Sequence, residues 1–113
     1  MGCRIAILMN ETKKILSVYI GKNDIFEWSH GTGKDILMPE LLVGCEELLY
    51  NDLDEVLCLR VESLVRNNQI SFDFKISKKG VSETLDKIME WALQNEEYEI
   101  CQRVTNLKSY EKI

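Results

Sequence analysis

Residues 69–77 alternate without a break: Ile70, Phe72, Phe74 and Ile76 on one side, Ser71, Asp73, Lys75 and Ser77 on the other. That is the period of a half-buried strand. Upstream, Leu57, Leu59, Val61 and Val65 share a face, and Asn67-Asn68 suits a two-residue turn because Asn tolerates positive φ. The turn sets Val65 opposite Ile70, Val61 opposite Phe74 and Leu59 opposite Ile76, so the apolar rows coincide; an odd loop would bury charge. A hairpin over 55–77 is therefore predicted. On its other face Glu62 meets Asp73 and Arg60 meets Lys75, like against like, so that face is expected to see water. Ser63 is expected to make room for the ring of Phe72.

The oily face of such a hairpin needs a cover. Residues 35–50 supply one, with Leu37, Met38, Leu41, Leu42, Cys45, Leu48 and Leu49 at helical spacing and Glu40, Glu46 and Glu47 opposite. Asp35 is the expected N-cap, and Pro39 is expected near the first turn. Earlier, residues 4–9 and 14–20 read as two strands joined by a turn at 10–13, and residues 25–28 as a short further strand. After Lys78-Lys79-Gly80, Ser82 is expected to cap a helix reaching Gln94, with Val81, Leu85, Ile88, Met89, Ala92 and Leu93 on its apolar side. Asn95 ends it, and Tyr98, Cys101, Val104 and Leu107 continue at helical spacing, a strand over 98–104 being the alternative. The expected fold is α+β: one domain over 1–113, with an antiparallel β-sheet of four to five strands in two hairpins, packed against one central helix and a C-terminal helical hairpin.

Composition sharpens the picture through the placement of charge. The chain has 113 residues and a net charge of −5. Residues 35–59 contain no Lys or Arg and seven acids, Asp35, Glu40, Glu46, Glu47, Asp52, Asp54 and Glu55; elsewhere 14 basic residues face the other 12 acids. One segment therefore carries −7 and the rest +2, a field that repels nucleic acid and draws a basic partner. Lys13-Lys14 and Lys78-Lys79 are the short basic spots, each beside a turn. No run of about 18 apolar residues is present, and the start lacks a secretory leader, so a soluble cytoplasmic protein without membrane attachment is expected.

Little in the chain promises chemistry. Cys3, Cys45, Cys58 and Cys101 are far apart, without the close pairs of zinc sites, and are expected as structural thiols. The glycine-rich stretch Ser29-His30-Gly31-Thr32-Gly33-Lys34-Asp35 departs from a phosphate-binding loop twice, with Trp28 where another Gly is required and Asp35 after the Lys. His30, the one histidine, has no identifiable nucleophile partner. Catalytic residues, metal ligands and a cofactor are expected to be absent.

Residues 85–107 resemble the UVR helical hairpin of bacterial excision-repair subunits and certain protease adaptors. Asn95, Glu97, Tyr98, Glu99, Cys101, Val104 and Leu107 carry the likeness; Cys101-Gln102 stands where the family has paired small residues, and Thr105-Asn106 where it has Arg-Asp. The resemblance implies an antiparallel helical hairpin used for protein contact, without catalysis. In overall profile the chain resembles small acidic bacterial toxin-immunity proteins. The expected function is inhibition of a basic toxin or nuclease, with Glu40, Glu46, Glu47, Asp52 and Asp54 lying over its active site. The alternatives are an oligomeric adaptor, a homodimer being one form, that uses the C-terminal hairpin, and a small enzyme using the His30 loop.

Overall fold

The structure is a computed structural model that describes residues 15–111. The expected strand at 4–9 and its turn lie outside them. Within them the chain is α+β: β1 (Leu16–Tyr19), α1 (Ile25–His30), α2 (Lys34–Tyr50), β2 (Glu55–Val65), β3 (Asn68–Ser77), α3 (Val81–Gln94) and α4 (Tyr98–Glu111).

The described sheet has three strands in the order β1-β2-β3, where four to five antiparallel strands are expected. It is mixed, because β1 pairs parallel with β2, Leu16 beside Leu59 and Val18 beside Val61. A parallel neighbour requires a crossover connection, and α1 and α2 provide it. The expected strand at 25–28 is α1 instead. Asp24 caps this helix, its carboxylate accepting from the Phe26 and Glu27 amides at 2.8 and 3.1 Å, and this local bond outweighs the strand preference of Ile25, Phe26 and Trp28.

The β2–β3 hairpin forms with a register different from the expected one. The turn lies at Arg66-Asn67, both with positive φ (52° and 65°), and Val65 faces Asn68. Moving a two-residue turn by one position shifts every partner by two, so each row keeps its face: Leu59 meets Phe74, Val61 meets Phe72 and Ser63 meets Ile70. The row is buried only toward the helix end of the hairpin; Val65, Ile70 and Phe72, expected on the oily face, are exposed because α2 does not reach the hairpin tip. The outward pairs change character. Arg60 now faces Asp73, joined at 2.7 Å, in place of the expected clash with Lys75, and Glu62 faces Ser71. The register also shifts between Leu57 and Leu59. Cys58 is the extra residue of this bulge, so Val56, Cys58 and Leu59 are all buried and Leu57 is not the core residue expected.

Ser63 faces Ile70 and not the ring of Phe72 for which it was expected to make room, because the register has moved by two. Fully buried, its hydroxyl lies 2.8 Å from the Asn23 carbonyl and 3.1 Å from that of Gly21, tying β2 to the turn after β1.

Helix α2 crosses the sheet and also meets α1, α3 and α4. Leu42, Cys45 and Leu48 are sealed between Leu59 and Val61 of the sheet and the hairpin residues Leu85, Ile88, Val104 and Leu107. Gly44 lets the helix approach closely, since a Cβ there would sit 2.2 Å from the Cys58 sulfur. Residues 98–111 are helix, which decides the helix-or-strand alternative, and α3 begins at Val81 after Gly80 and not with Ser82 as its cap.

Candidate functional site

Helix α2 carries two surfaces of interest on opposite flanks. Its start is fixed by Trp28, whose carbonyl accepts from the amides of Gly31 (3.2 Å) and Gly33 (2.8 Å). A Cβ on Gly33 would meet the Trp28 ring at 2.2 Å, so only Gly fits beneath the indole. These amides are satisfied inside the loop, an arrangement unlike a phosphate cradle, whose amides point at the ligand. Asp35 is in the first turn and is not the cap; it accepts a bond from the Trp91 indole N–H at 3.3 Å.

The outer flank holds Ile36, Val43 and Tyr50 at seven-residue spacing, 42%, 50% and 51% exposed. Glu40 and Glu47 fall between them on the same arc, since residues four and three apart share a helix face. A helix with apolar residues all round is ordinarily enclosed on every side; on this flank of α2 Ile36, Val43 and Tyr50 are about half exposed. At its end the Tyr50 ring meets Tyr110 of α4 edge-on, centroids 5.1 Å apart.

The five acids expected to form a partner surface divide. Glu40 and Glu47 are on the outer stripe. Glu46 turns toward α4 and takes both arms of Arg103 at 2.9 and 2.6 Å. That bond, aided by the neighbouring negative charge, holds the Arg103 guanidinium above its ordinary value. Asp52 is joined to Lys78 at 2.5 Å, and the lysine ammonium holds its carboxyl below the usual 3.8. Asp54 is exposed in the loop before β2, its carbonyl accepting from the Lys78 amide. Glu46 and Asp52 thus serve ion pairs of the fold itself.

The inner flank lines a cleft of about 450 Å³. Leu37, Met38 and Leu41 of α2 form its floor with Phe74 of β3, and Trp91 of α3 closes one side. Lys34, Lys75 and Lys87 reach it from three elements, against Glu90 as the one acid among the described lining residues. Ser29 and His30 stand at its edge. The His30 Nδ1–H donates to the Phe26 carbonyl at 2.8 Å, and the Ser29 hydroxyl donates to that same carbonyl at 2.9 Å. Their mutual distance is 3.2 Å, but both protons are committed to the backbone, which is not the relation of a base to its nucleophile.

Among the described residues no group of three or more His, Cys, Asp or Glu could hold a metal ion, and no helix is long and apolar enough to cross a membrane. Sequence reading missed both the apolar half of the outer stripe and the cleft. Seven-residue spacing was a usable signal for Ile36, Val43 and Tyr50. No local pattern links Lys34, Lys75 and Lys87, which only the tertiary fold brings together. No protein-family model, curated protein or solved structure matches the chain significantly.

Proposed function

We propose that the protein acts by binding another protein, as a small inhibitor of immunity type, and that the outer flank of α2 is its docking surface. The observation that carries this reading is the exposed row of Ile36, Val43 and Tyr50 with Glu40 and Glu47 set between them. Stable interfaces combine an apolar centre with a polar rim, and tyrosine is among the residues that dominate their energetics. The acids give the rim its sign, so the partner presents a basic surface, such as the substrate cleft of a nuclease or similar toxin. Occupying that cleft would exclude the toxin's own anionic substrate.

Glu46 and Asp52 also make bridges within the molecule, to Arg103 and Lys78. The Glu46–Arg103 bridge and the Tyr50–Tyr110 contact hold α4 against α2, which fixes the stripe before binding and lowers the entropy lost on docking. The adaptor reading keeps some support from Leu93 and Tyr98, exposed on the hairpin, but Val104 and Leu107 are buried inside this molecule and are not open to a partner helix.

Affinity capture from native lysate with two baits tests the proposal. The wild-type chain is expected to retain a basic protein that Val43→Arg loses, a weakening of about thirtyfold or more, with both baits equally helical by circular dichroism. Equal recovery by the two baits would remove the stripe from consideration.

A further inference from the structure

The cleft on the inner flank of α2 has a charge opposite to that of the molecule around it. The chain is −5 overall, yet three lysines and one glutamate line this cavity. None of the three lysines joins an ion pair with a carboxylate among the described residues, whereas Lys78, Lys108, Arg60 and Arg103 each do. Unpaired cations gathered over an apolar floor are suited to a ligand with a negative head and an apolar body. A volume of about 450 Å³ is within the range of pockets for small organic molecules.

We infer that this cleft binds a small amphipathic anion, a carboxylate with an aromatic or aliphatic tail. Its head group meets Lys34 and Lys87, and its tail lies on Met38, Leu41 and Phe74. The Trp91 indole, buried and held by Asp35, gives the tail a rigid wall. The site is on the far side of α2 from Val43 and Tyr50, so it does not depend on the docking surface and can be tested apart from it.

The test is calorimetric titration of the full chain with 4-phenylbutyrate and with its neutral counterpart 4-phenylbutanol. Saturable one-to-one binding of the acid is expected, with the alcohol at least about tenfold weaker. Lys34→Met with Lys87→Met should lower affinity for the acid about tenfold and leave that for the alcohol unchanged, and Leu41→Trp should block both. Glu90→Gln should strengthen binding of the acid. Should Leu41→Trp fail to fold, the lysine pair carries the test alone. Absence of saturable binding, equal affinity for acid and alcohol, or indifference to the lysine substitutions would each overturn the assignment.

Discussion

At the scale of single residues, two positions set the fit of helix to sheet and of strand to strand. Gly44 is irreplaceable because the Cys58 sulfur occupies the space a methyl would need, and Cys58 is pushed there by the bulge in β2. Gly44→Ala is expected to cost about 1–3 kcal/mol, the usual penalty of overpacking, and Cys58→Ala in the same chain should recover part of it. Additive losses in denaturant unfolding would contradict that coupling. At the hairpin turn, Arg66 and Asn67 occupy left-handed backbone that Asn-Gly adopts more readily. Arg66→Asn with Asn67→Gly should raise the melting temperature by several degrees, about 1 kcal/mol. Here sequence reading was misled by the adjacent Asn67-Asn68, since turn preference discriminates poorly between neighbouring positions. Parity survived the slip near the helix, where Leu59, Val61 and Ile76 are buried, but Val65, Ile70 and Phe72 at the hairpin tip are exposed and the charge pairs were wrong. Asp73 shows the consequence: its bond to Arg60 holds its carboxyl below 3.8 in the folded chain. A depressed carboxylate contributes stability above its unfolded value and loses it as pH falls through the folded one. The deficit of Asp73→Asn should therefore be measurable near pH 7, though small because the pair is exposed, and fade as pH falls through the depressed folded-state value. A deficit unchanged by acid would refute the pair.

At the scale of elements, α2 was the most legible part of the chain, expected over 35–50 and found at Lys34–Tyr50. Its long apolar pattern left no competing reading, although attention to the buried side hid the apolar residues on the other. Residues 25–28 were read in reverse, because a side-chain cap at Asp24 is a local bond that a six-residue stretch of strand-favouring residues does not advertise. Helix α4 has few hydrophobic residues, yet Val104 and Leu107 are completely buried against the core. Leu107→Ala should cost about 2–5 kcal/mol, more than Asp52→Asn, whose exposed partner Lys78 leaves no measurable change in melting temperature expected. A reversed order would mean that α4 is only loosely attached. A chain ending at Gln94 should likewise lose cooperative unfolding.

At the scale of the molecule, the α+β class followed from the patterning, whereas the mixed sheet did not. Parallel pairing of β1 with β2 depends on which way the crossover returns, and periodicity within a strand does not encode its neighbour. Charge was legible as an amount and only partly as a place: the acids of 35–59 lie along one helix and its exit loop, but the fold spends Glu46 and Asp52 on Arg103 and Lys78. The outer flank of α2 combines Glu40 and Glu47 with exposed apolar side chains, a surface for protein contact in the account proposed here. The most direct measurement is the association rate of the captured basic partner with the wild-type chain and with Glu40→Gln/Glu47→Gln, from low to high salt. Steering by opposed fields predicts a fall of about tenfold or more for the wild type and a clearly flatter dependence for the variant. A wild-type rate indifferent to salt, or identical slopes for the two chains, would contradict docking through the outer flank of α2.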